Sequence, residues 1–235
     1  MGYLRRWLLW TLALVVAALV LLQAWYAVHI WWWRDHPPRE TAFMALRIGE
    51  IRAARPQARL AYSWVPYERI SVEIKRAMIA AEDAKFVEHE GFDWGGIQLA
   101  LDKNARRGRV VAGGSTITQQ LAKNLFLSSQ RSYWRKSEEA LITVMLEALL
   151  GKRRILELYL NVAEFGPGLY GVGAASQRYF GKSPAELDEH ESAQLAGLLP
   201  NPTTWRPGAS SSTYRRRVAA IERRMERATF LLRQI

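Results

Sequence analysis

The sequence predicts a mainly α protein carried on one N-terminal transmembrane helix. Three observations lead there: a long apolar run without charge near the N-terminus, successive segments with helical spacing from residue 71 onward, and no run of strand periodicity. At 235 residues the chain can bury one substantial core and still keep an anchor outside it. Hydrophobic residues make up 49% of it and prolines number only 9, which argues against disorder. The formal net charge of +11 points to an anionic partner, whether phosphorylated substrate, acidic lipid headgroup or nucleic acid. The absence of cysteine excludes disulfides and thiolate metal sites.

No Lys, Arg, Asp or Glu occurs between Trp7 and Trp33. As a helix this run is about 40 Å long, enough to cross a hydrocarbon core of ~30 Å. Trp7 and Trp10 at one end, and Trp25, Tyr26 and Trp31 to Trp33 at the other, form aromatic belts. Arg5 and Arg6 precede the run and favour a cytoplasmic N-terminus with the remainder exported. No small-residue cleavage site follows, so an uncleaved anchor over 1–36 is expected rather than a signal peptide. Pro37-Pro38 should end it. Residues 37–70 read as a juxtamembrane connection, with Phe43, Met44, Leu46 and Ile48 lying against a bilayer surface and Tyr62 to Tyr67 extended.

Residues 71–235 form the remaining domain. Ser71 caps a helix with Ile74, Ala77, Met78 and Ala81 inward, which places Glu82 near its C-terminal end. Asp93 caps a second helix with Ile97, Ala100, Leu101 and Asn104 on one face. Thr116 and Gln119 make a capping box for a third, through Phe126. Ser132 caps a fourth, apolar on nearly every face from Ala140 to Leu150, which predicts a place at the centre of the core. Gly151 should cap its C-terminus before a helix over Lys152 to Asn161. The glycines at 166, 168, 171 and 173 make a loop, and a short helix runs to Phe180. Ser183-Pro184-Ala185-Glu186 predicts the start of a helix to Leu199. A last helix turns Val218, Ile221, Met225, Ala228 and Leu232 inward and its arginines outward.

The chemistry gathers between Glu82 and Glu139. Glu82 and Asp83 are adjacent and point to different parts of the helix surface, so one is expected to be catalytic and the other structural. His89 fits a structural hydrogen bond better than a base. Gly113-Gly114-Ser115-Thr116 is suited to hold an anion at a helix start, or is an ordinary turn and cap; it lacks the Gly-Lys-Ser/Thr ending of a nucleotide loop. Gln119 and Gln120 offer neutral donors and acceptors suited to sugar hydroxyls. Lys123, Arg131, Arg135 and Lys136 form a cation cluster suited to phosphate oxygens, or a solvated charge run. Arg135 and Glu139, four apart, share a helix face, as an ion pair or as a carboxylate that orients cations around a leaving pyrophosphate.

Together these stretches resemble the family 51 peptidoglycan glycosyltransferases, and most closely the monofunctional membrane-anchored enzymes. The residues that carry the resemblance are Glu82-Asp83-x-x-Phe86-x-x-His89-x-Gly91; Gly114-Ser115-Thr116-x-x-Gln119-Gln120-x-x-Lys123-Asn124; Arg135-Lys136-x-x-Glu139; and Lys152-x-x-Ile155-Leu156-Glu157-x-Tyr159-Leu160-Asn161. Gly168-x-x-Gly171-x-x-Ala174-Ala175 with Tyr179-Phe180-Gly181-Lys182 adds a fifth motif, in which Gly173 departs from the family's glutamate. The match covers about residues 60 to 205.

The resemblance implies a lysozyme-like α fold with a membrane-facing jaw, and polymerisation of lipid II into β(1→4)-linked glycan strands with release of undecaprenyl pyrophosphate. It implies Glu82 and Glu139 as catalytic residues, and Ser115, Thr116, Gln119, Gln120, Lys123, Asn124, Arg131, Arg135 and Lys136 as substrate-binding. Glu82 would act as base on the acceptor's 4-hydroxyl, while Lys123 and Arg131 would stabilise the pyrophosphate. No cofactor is obligatory, and a divalent cation (Mg or Mn) near Glu139 is compatible. Implied partners are lipid II, the growing strand, membrane lipid and proteins of cell-wall synthesis and division, not nucleic acid. The implied location is the inner membrane, single-pass, with the catalytic domain periplasmic, and no transpeptidase domain is expected to follow. Two other readings compete: a glycan-cleaving muramidase or lytic transglycosylase, and a non-enzymatic basic module that binds anionic lipid. A hydrolase pairs carboxylates about a neutral bond and needs no cation cluster. The binding module gives no role to Glu82 or Gln119-Gln120.

Overall fold

Among the residues that the computed structural model describes (2–109, 113–130 and 132–235), ten α-helices and three very short strands form. Helix α1 (Gly2–Trp32) exposes apolar side chains over most of its length, and it is long and apolar enough to cross a membrane. Its last turns belong to the domain. Tyr26 and Ile30 are buried in the common core, and Trp25, Tyr26 and Trp33 close around Phe126 with ring centroids 5.0 to 5.8 Å apart. Helix α2 (Ala42–Ala54) occupies much of the stretch expected to lie on a bilayer. Thr41 Oγ1 caps it by accepting from the Met44 N–H at 3.2 Å, and Met44 and Ile48 are buried. Helical spacing of Met44 and Ile48, one turn apart, turns these side chains into the protein.

Two helical groups share the core. In the first, α3 (Val72–Glu82) packs against α9 (Glu189–Leu198) and α10 (Ser212–Leu232). Ile74, Ala77 and Met78 point inward on α3, as their spacing requires, and Val218, Ile221, Met225 and Ala228 do so on α10. On α10 Leu231 is buried in place of Leu232, and one arginine, Arg217, turns inward. The second group is α5 (Ile117–Phe126), α6 (Tyr133–Leu149) and α7 (Lys152–Val162), with α2 against α5. Between α3 and α5, helix α4 (Trp94–Arg107) buries Ala100 and leaves Leu99 and Leu101 exposed, so the predicted inward face is only partly used.

Four local expectations are corrected. Helix α6 is not central: Ile142, Thr143 and Leu146 are buried, but Leu141 and Val144 are more than half exposed. Its all-round apolarity is that of a helix with the core on one side and something other than water suited to the other. Gly151, at φ −77°, opens α7 as its N-cap instead of closing α6. Ser183 to Glu186 close only a turn. The Pro184 carbonyl, which a helix starting there would use internally, accepts from the Ser71 N–H at 3.0 Å. Helix α9 starts later, on a capping box of Asp188 and Glu191. The glycine-rich stretch contains strands β2 (Glu164–Gly166) and β3 (Leu169–Tyr170), joined to β1 (Ala61–Tyr62) in the order β1-β3-β2 before α8 (Gly171–Phe180). β1 and β3 run parallel, β2 and β3 antiparallel. At Gly173 a Cβ would lie 2.6 Å from Val65 Cγ2, so this backbone has no place for the glutamate of the family pattern.

Candidate catalytic cleft

Glu82 is the last residue of α3, where the helix dipole opposes a negative charge. Its side chain is only 12% exposed. Gln120 of α5 donates Nε2–H to Glu82 Oε2 at 2.8 Å, and Arg217 of α10 donates Nη2–H to Oε1 at 2.7 Å. Tyr159 of α7 donates its hydroxyl to Gln120 Oε1 at 3.0 Å, which leaves the Gln120 amide hydrogens for Glu82. Burial pushes the Glu82 carboxyl above its ordinary value of 4.5, with the Asp83 charge adding to the rise; Gln120, Arg217 and Lys123 act against it. Burial likewise pushes the Tyr159 phenol far above its usual range, so it remains a donor.

Asp83, by contrast, is committed to structure. Its two oxygens take the His89 ring nitrogen Nε2 at 2.9 Å and the Ile117 N–H at 3.0 Å. The anion at the N-terminus of α5 is therefore the chain's own carboxylate. Thr116 closes the capping box with Gln119 and donates its hydroxyl to the Gly91 carbonyl at 2.7 Å. Gly91 has φ +87°, and a Cβ there would meet Thr143 Cγ2 at 2.6 Å, so glycine is required for this approach. Lys152 donates to the His89 carbonyl at 2.5 Å and to Glu147 Oε1 at 2.8 Å, and Thr118 donates to the same Glu147 oxygen at 2.6 Å. That explains Glu147 on the otherwise apolar α6, while the Thr143 hydroxyl donates to the Glu139 carbonyl of its own helix at 2.7 Å.

Beyond Gln120 the cleft opens into two adjoining cavities of about 280 and 300 Å³, which share Phe43, Gln120, Lys123 and Ser129. The larger is lined by Ser115, Gln119, Arg135, Lys136 and Glu139 in addition. Glu139, on α6, is 3% exposed and accepts from Arg135 Nη1 at 2.6 Å and from Lys136 Nζ. Ser115 Oγ lies 3.5 Å from Lys136 Nζ. Lys123 lines both cavities, with its ammonium 5.4 Å from the centre of the Phe43 ring. Burial pulls its pKa down, the Glu139 charge pushes back, and Arg135 adds to the fall. Asn124 is buried and lines the smaller cavity. Each Glu139 oxygen holds a cation, and among the described residues no other carboxylate lines that cavity, a donor set that does not suit Mg or Mn. Among the described residues no cluster of three or more His, Asp or Glu could hold a metal ion.

Residues 49–226 match the family model described as Transglycosylase. The chain belongs to the transglycosylase family. It is 53% identical over 225 residues to the biosynthetic peptidoglycan transglycosylase of Thiobacillus denitrificans, covering 96% of this chain and 97% of that one. It is 56% identical over 202 residues to the protein of the same name from Azoarcus sp. strain BH72 (86% and 87% covered), and 51% identical over 230 residues to that of Dechloromonas aromatica (97% and 99% covered). The fold is accordingly the lysozyme-like, mainly α transglycosylase domain, preceded by one apolar helix.

In this transglycosylase domain the expected site residues divide. Glu82, Gln120, Lys123, Asn124, Ser115, Arg135, Lys136 and Glu139 gather around one cleft. Thr116 and Gln119 are buried in their capping box, although Gln119 still reaches the cavity wall. Arg131 lies outside the described residues. Sequence alone assigns no task to two side chains at the centre: Tyr159 stands in a motif without a role, and Arg217 belongs to the arginines expected on the outward face of α10. Nothing in the spacing of Arg217 sets it apart from Arg215 and Arg216, which likewise lack a carboxylate three or four positions away.

Proposed function

We propose that this cleft polymerises lipid II into β(1→4)-linked glycan strands at the outer face of the inner membrane. Glu82 removes the proton from the acceptor sugar's 4-hydroxyl. That oxygen forms a bond to C1 of the lipid-linked donor, the bond from C1 to the pyrophosphate oxygen breaks, and undecaprenyl pyrophosphate leaves with the electron pair. Attack from the face opposite the leaving group inverts the α-linked donor to a β linkage. The observation that carries this reading is one buried carboxylate with a raised pKa beside a cavity lined by Lys123, Arg135 and Lys136.

Lys123 lines both cavities, feels the charge of both carboxylates and stabilises charge developing on the pyrophosphate. Arg131, for which no geometry is described, carries the same role from the resemblance. Glu139 works by holding Arg135 and Lys136 toward the pyrophosphate, and Ser115 and Asn124 add polar contacts to the substrate. Arg217 and Tyr159 act on the base through hydrogen bonds, the first directly and the second through Gln120. The N-terminal apolar helix suits a single-pass anchor. Trp94, Leu99 and Leu101 on α4 and Trp134, Leu141 and Val144 on α6 stay exposed, as a membrane-facing jaw requires.

The decisive experiment supplies lipid II to the purified full-length protein and separates the products by size. Polymer from the parent protein and none from Glu82→Gln, with lipid II still bound, is the expected result. A Glu82→Gln variant that polymerises at the parent rate would sink the assignment.

A further inference from the structure

Helix α10 and the turn that follows α3 enclose an open groove of about 560 Å³, lined by residues to which the cleft gives no task. Its floor is the buried Ile79 and Ala80 of α3 with Ala228 and Leu231 of α10. At its rim Phe230 is 69% exposed, and Lys85, Arg224 and Arg227 stand in water beside a single carboxylate, Glu88. Among the described residues none of these three cations has a hydrogen bond or ion pair from its side chain. A neighbouring arginine does: Arg76 of α3 pairs with Glu73 at 2.7 Å and donates to the Met225 carbonyl of α10 at 3.0 Å. Two guanidinium forks and an ammonium left open around an apolar trough match a chain that alternates carboxylates with large apolar side chains. A second copy of this chain is a poor match, since each copy carries +11. Anionic headgroups would meet the cations and leave the floor unfilled, and the anchor packs on α6, in the other helical group.

We propose that this groove docks an acidic amphipathic segment of a partner protein, with an apolar side chain seated beside Phe230 and carboxylates on Lys85, Arg224 and Arg227. The inference stands apart from the reading of the cleft, because none of these residues lines the two cavities there.

The test puts the photocrosslinking residue p-benzoylphenylalanine in place of Phe230 in the full-length protein, in its own cells, and identifies by mass spectrometry the peptide it captures on irradiation. The same residue in place of Arg223, exposed on α10 but outside the groove, is the control. The expected result is one protein captured at 230 and not at 223, through a stretch with several Asp or Glu among apolar residues. That stretch, as a synthetic peptide, should bind the purified full-length protein in detergent micelles. Arg224→Glu and Arg227→Glu should each weaken it at least tenfold, and a peptide with lysines for its carboxylates should bind these variants more tightly than the parent. Both arginines are exposed, and either variant alone suffices should the other not fold. Capture of phospholipid, of a second copy of this chain, or of a neutral or basic stretch overturns the proposal. So does capture no stronger at 230 than at 223, or an affinity that both charge reversals leave unchanged. The variants should polymerise lipid II at the parent rate; a loss there ties the groove to catalysis and overturns the proposal. No polymerisation by the parent protein would sink the reading of the cleft and leave this surface standing.

Discussion

The two carboxylates that bracket the cleft are held in opposite ways. Glu82 sits at the end of a helix, where burial and the dipole both disfavour its charge, and its partners are one amide and one arginine. Glu139 sits inside a helix with a cation on each oxygen, both from the preceding turn. A carboxylate whose charge burial disfavours accepts a proton more readily than an ordinary glutamate, whereas one bonded to two cations on its own helix is suited to orienting them. The difference therefore divides the labour: Glu82 for proton transfer, Glu139 for keeping Arg135 and Lys136 in place.

The sharpest way to break this division is to make each side chain neutral. Glu82→Gln should lower turnover by roughly 10³-fold or more, the scale of a lost general base, with lipid II affinity nearly unchanged. Glu139→Gln should lower turnover less, on the order of tenfold to a hundredfold, and should also weaken lipid II binding because Arg135 and Lys136 lose their anchor. Equal losses of affinity in the two variants would remove the distinction. Lys123→Ala removes the cation common to the two cavities and should lower turnover by roughly a hundredfold with the fold intact.

The same contrast has a stability side. A folded-state pKa raised above the unfolded value favours the protonated form, so the contribution of Glu82 is full at pH below 4.5 and is lost as pH rises through its folded value. Glu82→Gln should consequently gain in unfolding temperature relative to the parent on going from pH 4 to pH 7. A difference that does not vary with pH would mean that the carboxyl is not disfavoured. A smaller effect is expected at the anchor. Deleting residues 1–36 removes the buried Tyr26 and Ile30 and should cost about 3 kcal/mol in chemical denaturation, whereas a cut after residue 20 should leave stability nearly unchanged.

What could be read in the sequence was local. The caps at Ser71, Asp93, Thr116 and Ser132 stand where their spacing placed them, because each is an interaction between a residue and the one three positions on. Glu139 with Arg135 was legible for the same reason. Arg217 and Tyr159 were not, since they meet their partners across 135 and 39 residues of chain. Ser183 to Glu186 had every local sign of a helix start, and a tertiary hydrogen bond from Ser71 to Pro184 overrode it. Helix α6 misled in another way. Its apolar faces suited two environments, and sequence pattern does not distinguish a protein core from a membrane.

The most direct measurement is the pH dependence of lipid II polymerisation in the parent, Arg217→Met and Glu139→Gln. In the parent the acidic limb should lie above pH 4.5, the ordinary value for a glutamate. Arg217 favours the ionised form of Glu82, so Arg217→Met should move that limb to higher pH. Glu139→Gln should leave the limb where it is in whatever activity remains. A limb that moves in Glu139→Gln and stays fixed in Arg217→Met would reverse the two carboxylates and contradict the division of labour drawn from their surroundings.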